Sequence, residues 1–354
     1  MRPIEGRKAD HIDLVLSEDV RHSHNPWEDI NLIHDALPEV DLDEIDTSVD
    51  FLGSRLEHPI VVTAITGGYA QAEGINRNLA EACERLQIGM GVGSQRAALE
   101  SEEDPSYTVL REFDIPLRIA NIGAPQLVEQ KGRGPLGNED AERAKEMIDA
   151  HCLAIHLNFL QEIVQPEGDT CSVGCLDAIR SLAREQRIIA KETGAGISTH
   201  VASRLAGAGV MAIDVSGTGG TSFSAVEKFR ADRAGNAIGA RLGNTFREWG
   251  IPSPVSVLWA QVGLPLIASG GVTNGLDVAR GIVLGATCCG LAGPLMRAAM
   301  ESADRVVEEL ETIIAELKAA MFLTGCNDLG QLSNADYIIT GRTRGWLQDY
   351  DEVF

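Results

Sequence analysis

The chain has 354 residues, 44% of them apolar, and sets 30 Lys and Arg against 52 Asp and Glu for a formal net charge of −22. That length can bury a large core, as one barrel-sized domain with extensions or as two smaller domains. So acidic a surface repels nucleic acid and anionic membranes, and it suits concentrated salt, where screening weakens self-repulsion.

A salt-adapted source is therefore expected, and full stability in low-salt buffer would count against it. No stretch approaches the ~18 apolar residues of a membrane span. The N-terminal "MRPIEGRKADHIDL" has no apolar signal core, so a soluble, cytoplasmic protein is expected. The seven cysteines are scattered. Cys171 and Cys175 in "CSVGC" have no second Cys or His pair at zinc-ligand spacing, so they read as structural thiols in a reducing compartment.

Residues 1–58 read as a polar extension with a few apolar anchors. From residue 59 onward, short apolar runs alternate with helical patterns. The runs are "PIVVTAI", "IGMGVGS", "PLRIANIGA", "CLAIHLN", "RIIAKETG", "GVMAIDVSG", "PLIASGGV" and "TCCGLAGP". Amphipathic stretches at 74–87, 138–150, 174–186, 198–207 and 276–284 lie between them. Nearly continuous apolar runs suit strands buried on both faces, and strand–helix alternation argues a parallel sheet. Eight such units predict a (β/α)8 TIM barrel over residues 59–354. An open doubly wound sheet would want G-x-G-x-x-G after its first strand, and "AITGGYAQAEG" is not that. The segment 218–264 exceeds a normal strand–helix connection. It reads as a loop plus a helix over the barrel mouth, open to disorder without a ligand. Residues 301–323 read as a long last helix and 324–354 as a tail.

Active sites of such barrels form at the C-terminal ends of the strands. In order, those ends read Thr66-Gly67-Gly68; Ser94-Gln95-Arg96; Asn121; His156 and Asn158, then Gln161 and Glu162; Lys191-Glu192-Thr193; Asp214 and Ser216, then "GTGGTS"; Ser269-Gly270-Gly271; and Ala292-Gly293-Pro294. Polar residues or glycine at all eight mouths point to a lined cavity rather than ordinary loop chemistry, and argue against a non-enzymatic binding module. The last two mouths are Gly-rich and each precedes a helix, which is a phosphate cradle of backbone N–H groups. Ser, Thr, Asn and Lys at the other mouths suit a flat, heteroatom-rich ring such as a flavin. The chain has six lysines, and Lys191 ends a buried strand. It either snorkels from the rim or places positive charge beside a reduced flavin. Arg7, Lys8 and His11 cluster in "GRKADHI", with Arg96 after the second strand. In so acidic a chain they mark either an anion site or a salt-bridged arm. Glu162 alone reads first as a solvated loop acid. Beside a diphosphate it is also a hard oxygen ligand able to carry Mg2+.

Together "RKADHI", "AITGG", "GVGSQR", "NIGA", "HLNFLQEIVQPEGD", "AKETGAG", "DVSGTGGTS", "ASGGVTNGLDVARGIVLGA" and "LAGPLM" resemble the type 2 isopentenyl-diphosphate delta-isomerase family over nearly the whole chain. Single pieces are shared with other FMN barrels, whereas the "HLN…QE…PEGD" run with the N-terminal "RK" is specific to this family. The resemblance implies an FMN-linked TIM barrel that interconverts isopentenyl and dimethylallyl diphosphate with reduced FMN and Mg2+, NADPH or another reductant loading the flavin. It implies substrate contacts from Arg7, Lys8, Ser94, Gln95, Arg96 and Gln161, and Mg2+ on Glu162. FMN contacts are implied at Ala64, Ile65, Thr66, Ser94, Asn121, Lys191, Ser216 and Thr221, with the phosphate cradled by Gly271, Val272, Thr273, Ala292 and Gly293. His156 and Asn158 would line the site near the diphosphate, and catalysis would rest on the flavin rather than on side chains alone. A small-molecule diphosphate substrate and a homo-oligomer, tetramer or octamer, are also implied. Phe159, Ile65 and Thr218 depart from residues common in the family, and none removes a group with a role above.

Two other barrel enzymes compete. An FMN-dependent 2-hydroxy-acid oxidase wants a His base and an Arg clamp near strands 6 and 7, which "SGTGG" lacks. An IMP-dehydrogenase-like enzyme wants a nucleophilic Cys after strand 6, which "SGTGGTSF" also lacks.

Overall fold

In the computed structural model the described residues are 4–100 and 104–353, the side chains of 4–9 and 349–353 excepted. Eight parallel strands close into a barrel: β1 (Ile60–Val62), β2 (Gly89–Gly91), β3 (Leu117–Gly123), β4 (Cys152–Leu157), β5 (Ile188–Glu192), β6 (Ala212–Asp214), β7 (Leu266–Ala268) and β8 (Cys288–Leu291). Each pairs with the next, and β8 closes the ring on β1 with Cys289 opposite Ile60. Most strands are shorter than the apolar runs that announce them. The ends of those runs leave the ladder and turn outward to form the mouth.

The twofold alternation of a strand divides its side chains between two cores. Ile60, Val62, Leu153 and Ile155 pack under the surrounding helices. Val61, Ile119, Cys152, Ala154, Ile189 and Ile267 fill the barrel bore. The bore is closed below by the hairpin Val49–Phe51/Ser54–Leu56, whose Phe51 and Leu56 join that inner cluster. Both are fully or almost fully buried. The extension therefore plugs the barrel floor.

The outer helices Ala72–Leu86, Asn138–Ile148, Cys175–Leu182, Thr199–Gly207 and Gly275–Val283 fall within a few residues of the amphipathic stretches. Side-chain caps mark several starts: Ser198 accepts from Val201 N–H, and Asn274 accepts from Asp277 N–H.

Two regions depart from expectation. The segment 218–264 is not a loop plus one helix but carries three helices, Phe223–Arg233, Ala237–Thr245 and Ser253–Trp259. The first is covered by the N-terminal helix Ile4–Ser17 and the chain just after it, where Leu14 of the helix and Val20 beyond its end pack on Ala225 and Val226. Its partner is distant in sequence, and its own face carries a buried Glu227, so no simple apolar stripe announced it. The tail beyond residue 323 is likewise structured. Tyr337–Ile339 pairs antiparallel with Ile30–Leu32, and a helix follows over Gly341–Val353. The buried Asp29 carboxylate fastens that helix, accepting from Thr343 N–H (3.0 Å) and Oγ1 (2.8 Å).

Candidate active site

At the β7 and β8 mouths the chain presents backbone. Gly270 and Gly271 both sit at φ +84, and a Cβ on Gly270 would lie 2.4 Å from the Gly217 carbonyl oxygen. Only glycine allows the β6 and β7 loops to approach so closely. Among the described residues, no group accepts from the N–H of Gly271, Val272, Ala292 or Gly293. Unpaired donors at a mouth are rare unless a ligand or water takes them.

The helix start beside them is already satisfied. Thr273 donates both its N–H and its hydroxyl to Asp277 Oδ2 (3.0 Å each), and Gly275 N–H goes to Glu316 Oε2 (2.7 Å). The expected cradle over Gly271, Val272 and Thr273 therefore loses the Thr273 donors.

Inside the mouth, Lys191 meets Asp214 Oδ2 at 2.8 Å, and Ser269 donates to the other Asp214 oxygen. Lys191, Asp214, Asn121, Thr63, Ala64 and Val92 line a small cavity at the top of the bore. Asn121 gives its amide hydrogen to Val92 O (2.9 Å), so its Oδ1 must accept from His156 Nδ1 (2.8 Å). That fixes a proton on His156 Nδ1. At β5, Glu192 Oε2 gathers the N–H groups of Gly194, Ala195 and Gly196 (2.6, 2.6 and 3.0 Å) and shapes the loop. Burial pushes the Glu192 carboxyl up to about 7 against the pull of those donors. Ser216, after β6, holds φ +30 without being glycine, a strained conformation at the mouth.

Across the barrel, the loop after β4 is built from side chains. Glu162 is buried on the short helix Phe159–Val164. Its carboxylate accepts from Asn158 Nδ2 (2.8 Å) and from Asp169 N–H (2.7 Å). The Asn158 Oδ1 is buried and has no hydrogen-bond partner among the described residues. Asp169 bridges two guanidinium groups, Arg96 (2.5 Å) and Arg133 (2.6 Å). Behind it, the fully buried Glu227 accepts from His11 Nε2 (2.8 Å), Gln161 Nε2 (3.2 Å) and Arg230 (2.5 Å), and Arg230 also reaches Glu167 (2.8 Å). Burial pushes the Glu227 carboxyl up, but His11, Arg230 and Gln161 together outweigh it and hold it below the usual value.

The chain resembles known proteins at two levels. It is 49% identical to the isopentenyl-diphosphate delta-isomerase of Thermoplasma acidophilum over 97% of this chain and 98% of that protein. With the Halobacterium salinarum protein of the same name it shares 45% identity over 97% and 96%. The chain belongs to the isopentenyl-diphosphate delta-isomerase family. Residues 176–339 also match the FMN-dependent dehydrogenase family. Among solved structures, a flavocytochrome b2 variant with sulfite bound superposes with TM-score 0.65 at 16% identity, over 97% of this chain and 88% of that one. A mandelate oxidase variant carrying an FMN adduct gives 0.61 at 16%, over 94% and 92%. At such low identity those two likenesses show the (β/α)8 barrel fold alone.

For this isomerase-family chain, Asn158, Gln161 and Glu162 come together after β4, and Arg96 reaches them through Asp169. Ala64, Asn121 and Lys191 share the cavity at the bore, and Thr66 and Ser94 stand at the neighbouring mouths. Ile65 is half-buried against the core, as is Phe159. Thr221 pairs with Arg21 of the extension. Thr218 N–H donates to Ile251 O (2.9 Å) and so ties the turn before the third inserted helix to the loop after β6. Arg7 and Lys8 have side chains outside the described residues. Gln95 needs correction as a substrate contact. Its side chain is fully buried and bonded to Ala144 O (2.7 Å) and Asn121 N–H (2.8 Å), so it braces β3 rather than facing the mouth. Arg133, Glu227 and Arg230 escaped the sequence reading. Arg133, in "QKGRG", is one of few cations in an acidic chain and could have been flagged. Nothing in the sequence marks Glu227.

Proposed function

We propose that this chain interconverts isopentenyl diphosphate and dimethylallyl diphosphate, shifting a double bond with reduced FMN in the barrel mouth and Mg2+ on the diphosphate. The observation that carries the reading is that two anion-ready surfaces share one mouth. N–H groups of Gly271, Val272, Ala292 and Gly293 that find no acceptor among the described residues line one side, and the Glu162–Asn158 pair, with Arg96 and Arg133 held on Asp169 beside it, lines the side across from it. One suits a cofactor phosphate, the other a metal diphosphate.

The residues fit both groups. Those N–H donors would hold the FMN phosphate, with Ala64, Ile65, Thr66, Ser94, Asn121, Lys191, Ser216 and Thr221 around the ring. When bound and reduced, the flavin supplies a proton-carrying, electron-rich ring, and NADPH or another two-electron donor would keep it reduced. Glu162 and the orphaned Asn158 Oδ1 are hard oxygen ligands, and diphosphate oxygens and water would complete a Mg2+ octahedron. Arg96, Gln161 and, from the extension, Arg7 and Lys8 would bind the diphosphate. His156 and Ser94 would flank it.

The isomerisation needs a proton gained at one carbon and lost at another. The carboxylates of Glu162, Asp169, Glu192, Asp214 and Glu227 stand at this mouth, and each is committed to other partners. Glu162 serves Asn158 and Asp169 N–H, Asp169 two arginines, and Glu192 three backbone donors. Asp214 serves Lys191, and Glu227 serves His11, Gln161 and Arg230. Groups so engaged bind and orient, and the diphosphate's binding energy positions the alkene. The same reading makes the protein a cytoplasmic homo-oligomer, tetramer or octamer, which sedimentation would check. The deciding assay reduces the protein anaerobically with FMN and Mg2+ in high salt and supplies isopentenyl diphosphate. Dimethylallyl diphosphate is the expected product, and its absence overturns the reading.

A further inference from the structure

The N-terminal extension also reaches the opposite side of the mouth, through contacts that the proposed chemistry does not use. Asn25 and Trp27 enter the 3-10 turn Pro26–Asp29, where the Asn25 side chain accepts the Trp27 N–H at 3.3 Å. Trp27 is fully buried, and its indole N–H donates to the Gly270 carbonyl (2.8 Å). The Asn25 amide donates to the Gly271 carbonyl (2.9 Å). The Ser253 hydroxyl stands 2.6 Å from the same Gly270 oxygen.

In a trans peptide the C=O of one residue and the N–H of the next lie antiparallel in one plane. Tying the Gly270 C=O to Trp27 therefore turns the Gly271 N–H the opposite way. Tying the Gly271 C=O to Asn25 does the same for the Val272 N–H. These are two of the N–H groups that find no acceptor among the described residues. Both peptides follow glycines, whose torsions are the least restricted of any residue, so the planes need outside restraint to hold one direction.

We propose that Asn25 and Trp27 are positioning residues of the phosphate cradle: they lock two glycine peptide planes so that the Gly271 and Val272 N–H groups stand ready for the phosphate of FMN. The inference rests on the FMN reading above. Its physical content is preorganisation, since a loop ordered in advance leaves less entropy to be lost on binding. The phosphate end of the flavin should feel the lock and the ring should not.

FMN and riboflavin, which lacks the phosphate, distinguish the two ends. Both are titrated into the full chain and into Trp27→Phe and Asn25→Ser, following flavin fluorescence. Phe keeps an apolar ring but has no N–H. Ser keeps an N-cap acceptor but is too short to reach Gly271. Each variant should bind FMN roughly tenfold more weakly, the loss of one oriented donor, while riboflavin affinity stays at the wild-type value. Parallel weakening of both flavins, or no change in either, overturns the proposal, and the second variant decides if the first does not fold. A wild-type chain that binds FMN no better than riboflavin would sink the phosphate cradle itself, and this inference with it.

Discussion

On the β7–β8 side of the mouth the groups proposed to bind are backbone N–H groups of Gly271, Val272, Ala292 and Gly293. On the β4 side they are carboxylates, amides and guanidinium groups. The first surface is made by the shape of two loops, the second by a chain of charge pairs. Glu162 leans on Asp169, Asp169 on Arg96 and Arg133, and Gln161 on Glu227, which in turn holds His11 from 216 residues earlier in the chain. A backbone site tolerates no added atom, and side chains enter it only by holding peptide planes from behind, as Asn25 and Trp27 do. A side-chain site tolerates shape changes poorly at the charges and well elsewhere. That difference orders the expected damage.

Gly270→Ala should do the most harm. The new Cβ would meet the Gly217 carbonyl at 2.4 Å, and φ +84 is costly for alanine. Strain and overlap together should remove about 2–6 kcal/mol from a domain holding about 5–15. A lower melting temperature and purification without flavin are expected. Unchanged melting and flavin content would mean that the loop yields, and the contrast between a rigid side and an adaptable one would fail.

Glu162→Gln comes next and leaves the cradle alone. It keeps the shape and an acceptor for Asp169 N–H but removes the charge. A lost ligand should cost more turnover than the roughly 10–100-fold typical of partners one shell further out, with FMN content unchanged. An unaltered Mg2+ dependence of the rate would refute the ligand role.

Asp169→Asn separates the arginines from their shared counter-ion without touching a ligand. Its expected signature is a rise of roughly tenfold in KM for the diphosphate, from one weakened charge-assisted bond, with a smaller change in kcat. A fall in kcat at constant KM would instead place Asp169 in the chemical step.

The same contrast explains what could be read from sequence. The barrel was legible because each strand is a local apolar run and each helix a local stripe. The glycine turns before a helix were legible because they are local too, although the use of Thr273 by Asp277 and of Gly275 by Glu316 was not. Glu162 and Gln161 were marked by their position after β4. Glu227 and Asn25 were not, because their meaning comes from partners some 200 residues away. Gln95 misled for a related reason. Its neighbours Ser94 and Arg96 stand at the mouth, but its own side chain turns back to the Ala144 carbonyl of a helix. The inserted helices over 223–259 were missed because the N-terminal helix, not the barrel, covers the first of them.

The smallest effect tests whether the β4 side is held by charge at all. Glu227 is pushed up by burial but held below the ordinary glutamate value of 4.5 by His11, Arg230 and Gln161. A folded pKa below the unfolded one means stability fully present above the unfolded value and lost as pH falls through the folded value. Wild type should therefore lose this contribution progressively below pH 4.5. Glu227→Gln keeps an amide near Gln161 but never carries the charge, so it should melt lower than wild type at pH 7. The many other carboxylates titrate in both proteins, so only the difference between the two melting curves isolates Glu227. That difference should shrink as the pH falls, because protonation leaves wild type as neutral there as the variant. A gap that stays constant from pH 7 to strong acid would mean that Glu227 holds the N-terminal helix by packing, and that the two sides of the mouth are more alike than their chemistry indicates.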